Sequence, residues 1–454
     1  MAQPAHRYPS LLQALETRLG SLLRQHGGSG GLLSLTLATP ELAFDRLPEG
    51  LHDCSYWARP ADGRFLLGLG VAASVEAQGE GRFRALDAAF AEYRRLWQAV
   101  DADSLGSQGF QPAALAGFAF GQEGAGEALP NSRLTIPTLL VQRHEEVCAM
   151  TFTCDRSGPP HTVLAGWLAL AGEVVAALDR DAPPPASVFL QRLSSQPDDD
   201  VWLARVACAV TDIRAGELDK VVLARSIRIR STQPFIPAAL MAALAARYPG
   251  CIHFTHFFSK GGVLLGATPE SLVSLAAGQV VSDALAGTDW QSGRLDDEKS
   301  LHEHRLVVNA IVRALEPVCG FLQIPARPKV FELQELRHLR SVIRGTAEPG
   351  VSLLNLVERL HPTPAIGGAP ARRALDWLAR HGETRSGWYS GATGWIGFDG
   401  DGEFAVALRC AWLDGNEAEL YAGAGIVAAS DPRTELEETE AKLNAMLRVL
   451  GGQA

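Results

Sequence analysis

The chain reads as an α+β protein built on long antiparallel strands, and three observations carry that reading. From about residue 200 onward, strands and helices alternate without a fixed-period repeat. Two late apolar runs, Glu403 to Leu413 and Glu419 to Ile426, meet across an Asp-Gly-Asn turn suited to a hairpin. The chain also opens on an amphipathic helix, Pro9 to Arg24, with Leu11, Leu15, Leu19 and Leu22 at helical spacing.

The remaining elements follow in order. Leu32 to Leu37 and Arg64 to Val71 have the composition of strands, and Ala85 to Val100 that of a helix. Asp181 to Asp200, with three consecutive prolines and three consecutive aspartates, has the composition of a linker between structural halves. It separates residues 1–195, which carry few motifs, from residues 200–454, which carry nearly all of them. After it come a helix from Val201 to Ala215, a strand from Lys220 to Arg230 and a helix from Ile236 to Tyr248. Strands near Ile252 to Phe258, Val263 to Gly266 and Val280 to Leu285 precede a long helix through His304. Trp395 to Phe398 begins the late strands.

Composition narrows the function classes. With 454 residues, 47% hydrophobic and 20% charged, the chain can bury a large core. A net charge of −10 and scattered basic residues argue against a nucleic-acid partner. Seven dispersed cysteines without a CxxC pair fit reduced thiols, so a cytoplasmic setting is expected. No apolar run is expected to reach membrane-spanning length, and the N-terminus has no apolar core of a signal peptide.

Charge on the inward stripes of two helices carries the chemistry. In Glu435-Leu436-Glu437-Glu438-Thr439-Glu440-Ala441-Lys442, residues 435, 438 and 442 share a stripe that turns apolar at Met446. Asp431-Pro432 signals the start of this helix, with Thr434 and Glu437 as a capping box. Glu303 heads a second stripe through Val307, Ala310 and Ala314. Inward glutamates on two helices suit a hard cation such as magnesium; an exposed i,i+4 pair of Glu438 with Lys442 is the plainer alternative. His302 and His304 flank Glu303, but neighbours at i and i+2 point to different sides of a helix, which does not suit zinc.

Other single residues leave two readings each. Lys220 opens a strand, either as a surface lysine at its end or as a desolvated base. Glu270 follows Pro269 in a turn at a sheet edge, as a helix-start carboxylate or a catalytic acid. Arg409 sits in an apolar run, either ion-paired or clamping a carboxylate. Gly423 and Gly425 imitate a dinucleotide fingerprint without opening a helix directly, which favours a carboxylate site over a Rossmann turn.

In their order these segments resemble the chorismate-utilising enzymes, which include isochorismate, salicylate, anthranilate and aminodeoxychorismate synthases. The matching stretches, over about Val201 to Leu450, include Asp219-Lys220-Val221-Val222-Leu223-Ala224-Arg225, Gly266-Ala267-Thr268-Pro269-Glu270 and Ala284-Leu285-Ala286-Gly287-Thr288. They continue through His302-Glu303-His304, His338-Leu339, His361-Pro362-Thr363-Pro364-Ala365, Gly387-Trp388-Tyr389, Ala407-Leu408-Arg409-Cys410, Ala422 to Val427, and Glu438-Thr439 with Lys442. The resemblance implies one large domain of layered antiparallel sheets with outer helices, an anthranilate synthase component I-like fold.

It also implies roles. Magnesium would be held by Glu303 and Glu438, with Glu435 near through water, and would bind the ring carboxylate of chorismate. Lys220 would deprotonate water for attack at C2, and Glu270 would protonate the departing C4 hydroxyl from the opposite face. Arg409, Tyr389, Lys442 and amides around Gly423 and Gly425 would hold carboxylates. Gly287 and Thr288 would line the ring site, with His338 at its polar edge.

Within the resemblance, lysine at position 220 marks the water-using branch over the ammonia-using, anthranilate-type branch, because water needs a base and ammonia does not. Ala365 stands where salicylate formers tend to carry a hydroxyl, so isochorismate synthase leads and salicylate synthase is the alternative. A dinucleotide-dependent oxidoreductase is the remote one. Relatives of this type are often monomers. The stretch from Thr288 to Glu303 is shorter than in relatives, and Ser300-Leu301 replaces a frequent Asp-Arg.

Overall fold

The computed structural model describes residues 8–28, 30–40, 42–123, 129–180, 188–258, 261–289, 295, 297–332, 337–383 and 385–451. Two large sheets, one of thirteen strands and one of ten, lie face to face. Between them pack Trp57, Leu66 and Leu140 of the larger sheet with Leu115, Trp395 and Ala405 of the smaller. Among the described residues every pairing is antiparallel except Leu32–Ala38 with Trp97–Asp101.

Helices cover the outer faces. Pro9–His26, Pro160–Leu178, Pro237–Arg247 and Pro432–Val449 pack on the larger sheet. Arg82–Arg95, Glu298–Leu315 and Leu353–Leu360 pack on the smaller one. Asp199–Arg214 and Ala371–Arg380 cover strands Lys220–Ser231 and Glu417–Ile426 at one end of the larger sheet. The α+β layered architecture expected from the sequence is therefore present. Because both faces of each sheet are covered, strands such as Ala113–Phe118 and Ala392–Gly397 are buried at every position.

Several boundaries differ from the sequence reading. The helix expected over Ala85 to Val100 ends at Arg95, and Trp97–Asp101 is a strand paired with Leu32–Ala38. The linker-like stretch contains a strand, Leu190–Gln196, paired with Lys220–Ser231 through a bulge between Arg192 and Ser194. It is an exposed edge strand, so its polar composition imitates a linker; residues 181–187 lie outside the described residues. The last helix is capped by Asp431, whose carboxylate accepts from Arg433 and Thr434 N–H at 3.1 and 3.0 Å, rather than by Thr434. Pro160–Leu178 is long and apolar enough to cross a membrane, contrary to the expectation of no such run. Its Trp167, Ala171, Val174 and Val175 are buried in the core over the larger sheet.

Two crossings between the sheets position everything that follows. Strand Val263–Thr268 of the larger sheet passes through Pro269 and Glu270 alone into Ser271–Ala276 of the smaller. The run expected as one strand from Glu403 to Leu413 is two: Gly402–Val406 in the smaller sheet and Cys410–Asp414 in the larger. The break falls at Ala407 to Arg409, where Arg409 adopts φ 46°, a left-handed conformation that a strand cannot continue through. The hairpin from Cys410–Asp414 into Glu417–Ile426 turns at Gly415-Asn416 as expected.

Candidate active site

Both crossings face one pocket. It encloses about 820 Å³ including its mouth, and its wall includes Pro269 and Glu270 from the first crossing and Leu408 and Arg409 from the second. Glu303 enters it from helix Glu298–Leu315, and Glu438 and Lys442 from helix Pro432–Val449. Gly423 and Gly425 supply bare backbone from strand Glu417–Ile426. Nine of the thirteen residues singled out in the sequence thus share one wall: Glu270, Glu303, His338, Tyr389, Arg409, Gly423, Gly425, Glu438 and Lys442.

Of the other four, Lys220, Glu435 and Gly287 are not among its lining residues. Lys220, 1% exposed, packs against Gly425, and its Nζ lies 2.8 Å from Glu303 Oε1. Glu435, also 1% exposed, is buried one turn before Glu438. Gly287 is a bulge residue with φ 76°, interrupting the register between Ala286 and Thr288, rather than part of the wall. Thr288 pairs through its backbone with His338, and its side chain lies outside the described residues.

Lys220 is buried because its end of the strand is flanked on both sides, by Gly368–Ala369 and by Glu417–Ile426. Lys220–Ser231 pairs with Glu417–Ile426 along its length, and Val222, on the same face as Lys220, lines the pocket. The surface reading of Lys220 is therefore overturned. The glycines opposite make room. A Cβ at Gly425 would lie 2.8 Å from both Glu303 Oε1 and Lys220 Cε, and one at Gly423 would lie 2.9 Å from the Leu223 carbonyl and 3.1 Å from the Tyr389 hydroxyl.

Glu270 is not at a sheet edge. It is 4% exposed, because the crossing carries it between the two sheets. Burial pushes its carboxyl up to about 8, aided by Asp283, while Lys220, Lys442 and the Thr363 hydroxyl pull the other way. His338 is held well below its usual range, first by burial and then by the Arg409 and Lys442 charges. Its Nε2 accepts from Arg409 Nη2 at 2.8 Å, and its other nitrogen is oriented by the Gly287 carbonyl. This neutral imidazole fixes the Arg409 guanidinium at the wall. The carboxylates each face a lysine: Lys442 Nζ is 2.7 Å from Glu438 Oε1 and also donates to the Gly423 carbonyl at 2.8 Å.

Around Glu303 the helix faces separate as expected. His302 is exposed, while His304 is buried with its Nε2 2.9 Å from Ser341 Oγ. Sequence reasoning missed Arg385, a wall residue. Its guanidinium donates to the Val222 and Ile366 carbonyls and to Ser390 Oγ, pairs with buried Glu383 at 3.1 Å, and packs over Phe120. An arginine in a polar stretch between helix and strand gives no pattern to distinguish it. The stacked rings of Tyr389 and Tyr421, 4.9 Å apart, complete that side.

Comparison with known proteins places this geometry. The family model described as "Chorismate binding enzyme" matches residues 22–451. The chain belongs to the chorismate-binding enzyme family. It is 33% identical to the salicylate biosynthesis isochorismate synthase of Pseudomonas aeruginosa, over 98% of this chain and 97% of that one. It is 29% identical to isochorismate synthase MenF of Bacillus subtilis, over 88% of each. Among solved structures, the menaquinone-specific isochorismate synthase MenF of Escherichia coli superposes with a TM-score of 0.76 and 26% identity, covering 97% of this chain and 100% of that one. Anthranilate synthase component I of Streptococcus pneumoniae shares the fold, with a TM-score of 0.69 at 20% identity over 85% of this chain and 92% of that one.

In this chorismate-binding enzyme, Gly425→Ala is expected to displace the Lys220–Glu303 pair. Turnover should fall by about a hundredfold with circular dichroism unchanged. Near-normal turnover would show that the close approach at Gly425 is not needed.

Proposed function

We propose that the protein is a magnesium-dependent isochorismate synthase, converting chorismate to isochorismate by addition of water at C2 and loss of the C4 hydroxyl as water. The observation that carries this is a pair of buried groups: Lys220, which meets the pocket through its 2.8 Å contact with the wall residue Glu303, and Glu270, whose carboxyl burial pushes up to about 8. The relatives' names point the same way.

The residues fit a hard cation. Glu303 and Glu438 offer carboxylate oxygens from two helices at one pocket. The oxygens of Glu303, Glu435 and Glu438 do not all come within 4.8 Å of one another, so the fit is to a cation taking two carboxylates and completing its shell with water and substrate oxygens. Held by these carboxylates, such an ion would supply charge neutralisation for the substrate's ring carboxylate. Glu435, buried one turn before Glu438 on the same helix, would be near such an ion through water.

The chain's own groups then divide the work. Lys220 takes a proton from the attacking water, and Glu270 gives a proton to the departing C4 oxygen. Arg409, fixed by His338, and Lys442 hold substrate carboxylates. Arg385 spends its donors on protein and shapes the wall. Lys220 favours water as the nucleophile over ammonia. Ala365, on the pocket wall, leaves no hydroxyl where salicylate formers tend to carry one, so pyruvate elimination is expected to be minor.

The deciding experiment incubates purified protein with chorismate and magnesium, with and without ammonium, and resolves the products by chromatography. Isochorismate alone is expected; salicylate with pyruvate would move the reading to the salicylate synthases, and anthranilate would overturn the role of Lys220. Lys220→Gln should abolish hydration while leaving magnesium and chorismate binding largely intact, and a variant with near-normal turnover would remove Lys220 as the base. Because Glu270 must be protonated to act, kcat/KM should fall with pH above about 8, with a log slope of about −1. A profile flat through the next unit would exclude Glu270 as the acid.

A further inference from the structure

Away from the pocket, Cys208, Asp212 and His381 meet where helix Asp199–Arg214 lies beside the end of helix Ala371–Arg380. Cys208 and Asp212 are one turn apart on one helix face. His381 Nδ1 lies 2.8 Å from the Trp377 carbonyl, so that nitrogen carries the hydrogen and donates. Nε2 is left with its lone pair, 3.6 Å from Cys208 Sγ. The imidazole is held in plane by stacking on Trp377, with centroids 3.8 Å apart and 18° between the rings. Asp212 Oδ2 lies 3.7 Å from the same sulfur and accepts from the Trp377 indole at 2.8 Å.

We propose that Cys208, Asp212 and His381 form a second metal site, for a thiophilic divalent cation of the zinc class, distinct in chemistry and place from the carboxylates of the pocket. Tetrahedral zinc with a thiolate at ~2.3 Å and an imidazole at ~2.0 Å sets those two ligand atoms about 3.5 Å apart, and a carboxylate oxygen about as far from the sulfur. The observed sulfur-to-nitrogen and sulfur-to-oxygen separations of 3.6 and 3.7 Å are close to these, and all three ligand atoms lie within 4.8 Å of one another. Among the described residues this is the one group of three such donors within 4.8 Å of one another. Sulfur, nitrogen and oxygen together select zinc-class ions over magnesium. The outer partners are also those of a metal ligand: a backbone carbonyl orients the histidine and an indole N–H orients the carboxylate.

All three residues are half-buried, and a bound ion would take water as its fourth ligand. Binding deprotonates the thiol, its proton leaving to solvent, and no electron is transferred. The ion would tie the two helices together. His381 lies two residues before Glu383, which holds Arg385 at the pocket wall, so the site anchors the segment that shapes that wall.

Cobalt titration of the metal-free, full-length protein tests this. One equivalent of Co2+ should produce a thiolate-to-cobalt charge-transfer band that zinc abolishes and excess magnesium does not. Cys208→Ser should lose the band, and His381→Asn should weaken binding by about tenfold or more. Zinc should raise the melting temperature of the wild type and of neither variant. Absence of the band, or a band of unchanged intensity in Cys208→Ser, would overturn the proposal. Should Cys208→Ser fail to fold, unchanged cobalt affinity in His381→Asn would overturn it equally.

Discussion

The switching of two strands between sheets governs where this protein can bury charge. At Pro269-Glu270 and again at Ala407 to Arg409 the chain leaves one sheet for the other. A ladder of backbone hydrogen bonds cannot run through such a corner, so polar side chains take the space that strand neighbours would fill. Both corners open on the same pocket, and one delivers a carboxyl while the other delivers a guanidinium. The left-handed backbone at Arg409 is the local cost of that turn, and strain of this kind persists where the surrounding structure over-determines it.

The charges at the pocket are then balanced in pairs. Lys220 faces Glu303 and Lys442 faces Glu438, each across less than 3 Å. Removing one partner of a buried pair leaves an uncompensated charge and costs about 3–5 kcal/mol, whereas the intact pair contributes little net stability. These residues are therefore better understood as poised for a ligand than as fastenings of the fold, which rests on the apolar layers. A cation at Glu303 and Glu438 would share carboxylates that now answer to lysines. Glu270 differs: no lysine lies within ion-pair distance in the described structure, and desolvation keeps it protonated.

Much of the fold was legible where one face of an element is wet. The opening helix, the helices after residue 200, the strand from Lys220 and the hairpin at Gly415-Asn416 all carry period or turn chemistry that survives in the structure. Trp97–Asp101 and Leu190–Gln196 were misread because a short strand beside a helix, or on an edge, shares the composition of its neighbours. The break at Ala407 to Arg409 was invisible because both halves are apolar and the corner shows neither proline nor glycine. At the site, nine residues found by pattern and resemblance reached one wall, while Arg385 and Glu383 carried no pattern at all.

By itself the sequence determined which residues carry charge on otherwise apolar stripes, their order along the chain, and the layered class of fold. Helical spacing and turn chemistry are local, so they can be read without coordinates. Only the tertiary structure decided that Lys220 is buried against a glutamate 83 residues away, that Gly287 is a bulge and not a wall, and that Glu270 lies between sheets. Burial, and the protonation that follows from it, depend on segments distant in sequence closing over the group, and no local pattern records what those segments will cover.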